Sequence, residues 1–119
     1  MAGGFRVKRV YDDPSPQDGL RILVDRLWPR GVSKERARLD GWAKDVAPSD
    51  ELRRWFHAAA EEHRSEFAER YTAELEGSEQ RRRLEELRAQ GAEQTVTLLT
   101  ATKDLEHSHV AVLLQQLEP

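Results

Sequence analysis

The sequence contains no cysteine. Disulfide bonds, thiolate nucleophiles, and zinc or iron–sulfur sites with cysteine ligands are therefore excluded. A metal ion would have to be held by histidine and carboxylate side chains, and His107 and His109 are the nearest pair of histidines in the chain. If this segment is helical, two residues of separation turn the two side chains about 200° apart. We therefore predict neither a metal site nor a cofactor.

Long apolar segments are also missing. No run approaches the length of about 20 residues that a membrane-spanning helix requires, and the first ten residues, MAGGFRVKRV, lack the apolar stretch of a signal peptide. We therefore expect a cytoplasmic protein without membrane contacts. Neither the phosphate-binding motif G-x-x-x-x-G-K-[ST] nor the nucleophile elbow G-x-S-x-G occurs. The usual ATP-binding loops and a serine nucleophile are not predicted.

The length of 119 residues fits one domain, spanning residues 1–119. The net charge of −3 conceals an uneven distribution: residues 1–44 carry ten Lys and Arg against six Asp and Glu, and residues 45–119 carry nine against sixteen. A basic half can bind anions while an acidic half is solvated. The alternative is that charged helical faces simply vary in sign along the chain.

The predicted fold is organised around residues 22–31, ILVDRLWPRG. Ile22, Leu23 and Val24 form a short continuous apolar run, typical of a strand covered on both faces. Strands are predicted at 5–11, 20–27 and 95–101. Helices are predicted at 39–46, from Ser49 onward, at 61–76, at 78–90 with Gly91 as the C-cap, and at 105–117. This order is typical of a small α/β domain, and the short segment 12–19 favours an antiparallel hairpin of the first two strands.

Charged side chains follow two of the predicted strands at the point where each strand ends. Asp25, Arg26, Trp28 and Arg30 follow the second strand. The third strand is followed by a second group, comprising Lys103, Asp104, His107 and His109. In open α/β sheets, ligands bind at the carboxyl ends of parallel strands. If the strands are parallel, the two groups converge on one site.

Arg26, Arg30 and Lys103 are candidates for binding an anion. Guanidinium groups bind phosphate or carboxylate through paired hydrogen bonds, and free N–H groups at a helix start add positive potential. The alternative is that Asp25 pairs with an arginine to satisfy charges at the strand end, and that Trp28 belongs to the core.

Asp25 and His109 are candidates for proton transfer. A histidine near a helix start tends toward its neutral form, which can accept or donate a proton, and a carboxylate such as Asp104 or Asp25 would orient it. The alternatives for His109 are a helix-capping contact or a satisfied histidine of the core.

Binding to nucleic acid is a further possibility for the basic N-terminal region. Arg21, Arg30 and Lys34 could follow a phosphate backbone while Trp28 stacks on a base. The pI of about 5.8 opposes this reading, because nucleic-acid-binding domains are usually strongly basic.

Four segments resemble one known family. They are VKRVYD at 7–12, DGLRILVDRLWPRGVSKE at 18–35, WAKDVAPSDELRRWFH at 42–57 and TLLTATKDLEHSHVAVL at 97–113. Together they are similar to the YeaO-like family, also called domain of unknown function 488, a group of small uncharacterised bacterial proteins. The resemblance implies one compact α/β domain. Longer relatives have a helix between the first two strands, which implies a parallel arrangement.

The resemblance also bears on the candidate site. The family's signature polar residues fall on Lys8, Arg9, Asp25, Arg26, Arg30, Lys103 and His109, and Trp28 and Pro29 match as well. This chain departs from the family at Thr100, where relatives commonly have an aromatic residue, and at Ser108, where they have Asn. The missing Asn argues against any mechanism that needs an amide at that position.

These observations lead to one expectation for fold and two for function. The fold is a single α/β domain with a small, mainly parallel, Rossmann-like sheet of about three strands packed with helices. The chain is expected to bind or process a small anionic ligand, phosphorylated or nucleotide-like, with Asp25 and His109 as catalytic candidates. The ligand-binding candidates are Arg26, Arg30, Lys103, Trp28, Lys8, Arg9 and Asp104. The alternative is a non-catalytic nucleic-acid-binding or regulatory module, and nothing in the sequence specifies a reaction or an oligomeric state.

Overall fold

The apolar run that follows Arg21 lies inside a four-stranded parallel sheet. The structure is a computed structural model that describes residues 3–118. Its strands are β1 (Gly4–Arg9), β2 (Leu20–Leu23), β3 (Gly41–Trp42) and β4 (Thr95–Thr100), in the order β1-β4-β2-β3. All three pairings are parallel. The α/β fold is confirmed, with one short strand more than the three expected.

β4 lies between the first two strands, so these do not form a hairpin. It pairs with β1 from Gly4↔Thr95 onward and with β2 from Leu20↔Val96 onward. The antiparallel hairpin is therefore wrong, and the parallel arrangement implied by the family is correct. Residues 96–100 are all buried because helices and loops cover both faces of this central strand.

The helices are joined by short connections and pack around the sheet. Their bounds are α1 (Lys34–Ala37), α2 (Asp50–Ala58), α3 (Ala60–Glu74), α4 (Ser78–Glu93) and α5 (His109–Leu117). Ser33, Ser49 and Ser108 cap α1, α2 and α5, each side-chain oxygen accepting a backbone N–H of the first turn. Within residues 3–118, no helix is both long and apolar enough to cross a membrane.

Two apolar clusters lie on the two faces of the sheet. The larger one joins Val96 and Leu98 of β4 to residues of the four longer helices, including Phe67, Leu84 and Leu113. The smaller one joins Leu23, Val32, Ala37 and Leu99 under the loop that follows β2. The alternation of Leu98 and Leu99 between the clusters follows from the two-residue period of a strand.

The segment predicted as a helix at 39–46 has a different structure. It forms β3 and a 3-10 turn at Lys44–Val46. The backbone N–H groups of Asp40 and Ala43 donate to the carbonyls of Arg21 and Leu23, both at 2.8 Å, which adds this segment to the sheet edge. Pairing with β2 outweighs a helical spacing of apolar residues that is only eight residues long.

Two predicted helix ends also differ. Gly91 lies inside α4, which continues to Glu93, and it packs against the ring of Phe5 rather than ending the helix. The last helix begins at His109 and not at residue 105, because Asp104 accepts the backbone N–H of His107 in a turn and Ser108 then caps α5.

Candidate functional site

A cavity of about 320 Å³ lies at the carboxyl ends of β2 and β4, and we call it the strand-end cavity. Its walls come from the loop after β2, the segment after β4, α2 and the start of α5. The ionisable groups that line it are Asp25, Arg26, Arg30, Arg53, His57 and His109. The larger apolar and aromatic groups are Tyr11, Leu27, Trp28, Pro29, Phe56 and Phe67. The two strand-end groups predicted from the sequence therefore meet in part.

Both carboxylate oxygens of Asp25 accept hydrogen bonds. Oδ1 accepts from the hydroxyl of Thr100 at 2.7 Å, and Oδ2 accepts from the backbone N–H of Ala101 at 2.8 Å. Oδ1 also lies 3.1 Å from Nε2 of His109. The side chain is only 16% exposed, so these partners replace the water that the carboxylate loses. Asp25 joins the end of β2 to the end of β4.

His109 approaches two oxygen atoms through the same ring nitrogen. Its Nε2 is 3.1 Å from Oδ1 of Asp25 and 3.1 Å from the carbonyl oxygen of Val24. Both neighbours are acceptors, so Nε2 carries the proton and donates to them. Tyr71 packs edge-on against the imidazole, with the ring centroids 6.2 Å apart. The start of α5 is thereby fixed against the sheet.

The pKa of Asp25 lies below its ordinary value. Burial alone would raise this pKa, but the hydrogen bond and charge of His109, followed by the N–H of Ala101 and the hydroxyl of Thr100, lower it further than burial raises it. Asp25 is therefore a carboxylate at neutral pH. Its partners inside the protein offset its charge.

Arg26 and Arg30 line the cavity as predicted, but their guanidinium groups differ in what they contact. Arg26 donates from Nε to the carbonyl of Pro48 at 2.8 Å and from Nη2 to that of Ala47 at 3.3 Å. Arg30 is exposed, and its recorded contact is made by its backbone carbonyl, which accepts from the hydroxyl of Tyr11. Arg26 thus holds the segment before α2, whereas the guanidinium of Arg30 makes no hydrogen bond to any residue within 3–118.

Two cavity residues on α2 were missed as binding candidates. Neither Arg53 nor His57 is among the residues that the sequence predicts to bind a ligand. They are four residues apart on α2 and both line the cavity. The sequence shows them as the polar face of an amphipathic helix. Only the packing of α2 beside the loop after β2 turns this face into a cavity wall.

Trp28 forms part of the apolar wall and is held in place by its own loop. Its indole N–H donates to the carbonyl of Val32 at 2.6 Å, and its ring meets Trp42 edge-on at a centroid distance of 5.5 Å. Trp42 in turn donates to the carbonyl of Asp25 at 2.6 Å. Trp28 therefore lines the cavity and also packs against the smaller apolar cluster.

The remaining predicted site residues lie outside the cavity lining. Lys8 pairs with the buried Asp18 at 3.0 Å. Arg9 donates to the carbonyls of Ala101 and Thr102 and so braces the segment behind the cavity. Lys103 and Asp104 are exposed, and Asp104 binds the backbone and ring of His107. Neither Lys103 nor Asp104 lines the cavity, although Ala101, Thr102 and Ser108 of the same segment do.

No metal-binding cluster of three or more histidine or acidic side chains occurs among residues 3–118. His107 lies on the exposed turn with Asp104, while His109 faces Asp25 in the cavity. The two histidines therefore belong to different surroundings.

Comparison with known proteins gives a consistent result. Residues 4–119 match a sequence family described as the inactive DUF488-N3 subclade. An uncharacterised protein of Mycobacterium tuberculosis (strain H37Rv) is 50% identical over 112 residues, which cover 94% of this chain and 92% of that protein. The uncharacterised protein YeaO of Escherichia coli (strain K12) is 44% identical over 110 residues, which cover 92% of each. No solved structure matches the chain significantly.

Proposed function

Because this chain belongs to the YeaO-like DUF488 family, within the subclade described as inactive, we propose that it binds a small phosphorylated compound without converting it. The binding site in this proposal is the strand-end cavity. The ligand is held mainly by arginine side chains, and the protein acts as a binding module rather than as an enzyme.

The charge of the cavity lining is the observation that supports this proposal. Three arginines face the cavity, whereas Asp25 is the one carboxylate among the described lining residues. Because Asp25 is already bonded to Thr100, Ala101 and His109, its charge is largely compensated. A cavity in which arginines outnumber carboxylates and whose walls are apolar attracts an anion and strengthens its hydrogen bonds.

The size and walls of the cavity limit the ligand. A volume of about 320 Å³ is near the lower end of the range for small-molecule sites, about 300 to 1,000 Å³. Trp28, Pro29 and Phe56 supply apolar surface beside the arginines. We therefore favour a mononucleotide or a sugar phosphate over a dinucleotide.

The hydrogen bonds of Asp25 argue against proton abstraction by this carboxylate. A general base needs a free acceptor within hydrogen-bonding distance of the proton that it removes. Both oxygens of Asp25 already accept hydrogen bonds inside the protein, and His109, whose Nε2 donates, keeps only Nδ1 as an acceptor. In our proposal these two residues, which the sequence predicts as catalytic candidates, keep the cavity in shape.

The alternative of a nucleic-acid-binding surface receives less support. Lys8 and Arg21 are paired with the buried Asp18, and Arg9 donates to two backbone carbonyls. These basic groups of the N-terminal region are therefore already used within the protein. We retain short oligonucleotides in the test below as a comparison.

Thermal unfolding with and without ligands tests the proposal. The panel consists of nucleoside monophosphates, sugar phosphates, inorganic phosphate and short single-stranded oligonucleotides. Binding to the native state raises the midpoint temperature by mass action, and we expect at least one small phosphorylated compound to do so. Prolonged incubation of that compound, followed by phosphorus NMR, should leave it unchanged.

Two variants locate the binding. Arg30→Ala should reduce the shift, whereas Arg81→Ala, a substitution of an exposed arginine on α4, should leave it unchanged. A panel without any shift, or a shift that Arg30→Ala leaves intact, would contradict the proposal. A response to oligonucleotides alone would favour the nucleic-acid-binding module instead.

A further inference from the structure

We propose that Arg53 and His57 form the subsite that receives the phosphate group in the strand-end cavity. This inference rests on the proposed function and adds the position of the anion within the site. The remainder of the ligand then extends along the apolar wall formed by Phe56, Trp28 and Pro29.

Arg53 carries a buried hydrogen-bond donor without an acceptor. Among residues 3–118, its Nε has no hydrogen-bond partner although the atom is inaccessible to solvent. Its Nη2 makes a long contact of 3.4 Å with Asp50, and about a third of the side chain, 32%, is exposed. An unsatisfied buried donor is destabilising, and a rotation of the Arg53 side chain that presented this donor to a ligand in the cavity would remove that cost.

The other two cavity arginines suit this role less well. Arg26 already donates through Nε and Nη2 to the carbonyls of Pro48 and Ala47. Arg30 is exposed at the cavity mouth, where water weakens its interaction with an anion. Arg53 therefore combines a partly buried guanidinium with an unused donor. We assign Arg30 to attracting the ligand and Arg53 to holding its phosphate.

His57 lies one helical turn beyond Arg53 and faces the same cavity. No hydrogen bond of its ring is recorded within residues 3–118. Burial lowers the pKa of His57, and the charges of Arg53 on the same helix and His109 on α5 lower it further. The side chain of His57 is exposed, and the guanidinium of Arg53, which lines the same cavity, makes its surroundings electropositive. A dianionic phosphate placed there would be stabilised and would raise the pKa of His57 in return.

The chemistry of the pair fits a phosphate monoester. A guanidinium group offers two parallel donors to two phosphate oxygens, and an imidazole N–H can donate to the third. A carboxylate ligand has only two oxygens and one negative charge, so it would satisfy this pair less completely. Inorganic phosphate and adenosine monophosphate share the required group and differ in whether they can occupy the apolar wall.

The first measurement uses the unaltered protein. Histidine side-chain NMR signals are followed during pH titrations with and without inorganic phosphate and adenosine monophosphate. The expected result is a rise in the pKa of His57 with either ligand, and a smaller response of His63 on α3, which stacks on Trp55 of α2. Binding without any change in the pKa of His57 would overturn the subsite.

The second measurement compares affinities for adenosine monophosphate by calorimetry. Arg53→Gln should weaken binding by about 10- to 100-fold, corresponding to one lost charge-assisted contact. Arg54→Gln, the exposed neighbour on the same helix, is the matched control and should bind like the unaltered protein. Arg53→Lys keeps the charge but not the planar pair of donors, so it should bind with intermediate affinity. His57→Gln should weaken binding less than Arg53→Gln.

The outcomes separate this inference from the proposed function. If Arg30→Ala reduces binding while Arg53→Gln and Arg54→Gln bind alike, the cavity is a site but its phosphate lies elsewhere. If no phosphorylated compound binds the unaltered protein, both proposals fail. Arg53→Gln removes an unsatisfied donor, so its midpoint of unfolding without ligand should not decrease by more than a few degrees. A large decrease, with Arg53→Lys binding normally, would mark Arg53 as structural and overturn the subsite.

Discussion

Nε2 of His109 lies 3.1 Å from Oδ1 of Asp25, so the first residue of α5 is joined to the second residue after β2. The same carboxylate binds Thr100 and Ala101 at the end of β4. One side chain therefore connects the ends of two strands and the start of a helix. The shape of the strand-end cavity depends on this connection.

Asp25→Asn should destabilise the protein. The asparagine amide retains one acceptor oxygen, and its NH2 group replaces the other, so one charge-assisted hydrogen bond is lost. We expect the free energy of unfolding to fall by about 2 kcal/mol, the middle of the range for hydrogen bonds to charged groups. Urea denaturation at pH 7 measures this change. Asp13→Asn, at a side chain that is 95% exposed, is the control and should have little effect.

The stabilisation that Asp25 provides should decrease as the pH falls. The folded-state pKa of Asp25 lies below its ordinary value of about 3.9. Its contribution is therefore complete above that ordinary value and is lost as the pH falls through the lower, folded-state pKa. The unaltered protein and Asp25→Asn should converge in stability at the acidic end of the titration. A constant difference across the acidic range would show that the carboxylate charge is not the cause.

Arg26→Ala should reduce stability as well as ligand binding. The sequence predicts Arg26 as an anion-binding residue, but its guanidinium also donates to the carbonyls of Pro48 and Ala47 beside α2. Removing these donors should lower the free energy of unfolding by about 1.5 to 3 kcal/mol. Arg30→Ala, in contrast, should change it by less than about 0.5 kcal/mol. Equal stability losses in denaturant titrations of the two variants would contradict this assignment.

Asp18→Ala should be among the most destabilising substitutions in the chain. The side chain of Asp18 is 1% exposed and binds both Lys8 and Arg21, and the Arg21 side chain is only 6% exposed. Removing the carboxylate leaves a buried guanidinium without its counter-charge, which costs about 3 to 5 kcal/mol. Chemical denaturation at pH 7 measures the loss. Glu35→Ala on the exposed side of α1 is the control, and a loss similar to that control would refute the role of the network.

Acid should remove the stabilisation that the carboxylate of Asp18 provides. Burial raises the pKa of Asp18, but the backbone N–H of Ser15 and the side chains of Lys8 and Arg21 lower it below the ordinary value. The stabilisation is therefore complete above about pH 3.9 and decreases as the pH falls through the folded-state pKa. Together with Asp25, Asp18 should make acid unfolding of this protein cooperative, which circular dichroism against pH can follow.

Gly19→Ala and Gly31→Ala form a matched pair of substitutions. Both glycines have positive φ, 61° and 77°, which alanine adopts at a cost of about 1 kcal/mol. At Gly19, an added Cβ would also lie 2.1 Å from the backbone oxygen of Thr95, whereas at Gly31 it would meet open space. Gly19→Ala should therefore cost several kcal/mol and Gly31→Ala about 1 kcal/mol. Similar midpoints in urea for both variants would contradict the close approach of Gly19 to β4.

The elements with strong local signals were predicted from the sequence. The buried apolar run at 22–24 contains the end of β2, which stops at Leu23. The apolar segment of β4 is a strand, and Ser49 begins α2 as expected. The family resemblance is confirmed, and it also corrected the strand arrangement. β3 was missed because two residues have no measurable periodicity. Its pairing with β2 is a tertiary interaction that no local pattern encodes.

Only part of the candidate site was predicted, because tertiary packing places its other residues. The residues directly after β2 remain close to the strand, so Asp25, Arg26, Trp28 and Arg30 line the cavity. Lys103 lies on the turn after β4 and is exposed outside the cavity lining, whereas Ala101, Thr102 and Ser108 of the same segment line it. The contributions of Arg53 and His57 depend on where α2 packs. Because both residues are far in sequence from the strand ends, no local pattern indicates that α2 packs beside the cavity.

The central place of β4 in the sheet has a consequence for the synthesis of the chain. Its partners on β1 and β2 precede it by more than 70 residues, as the pairs Gly4↔Thr95 and Leu20↔Val96 show. At ordinary translation rates, β4 emerges from the ribosome on the order of ten seconds after β1. During that delay Arg6, Lys8 and Arg9 keep the nascent strand charged, and charged residues within apolar strands oppose aggregation. We therefore expect the basic residues of β1 to oppose aggregation of the nascent chain until β4 is available to pair with it.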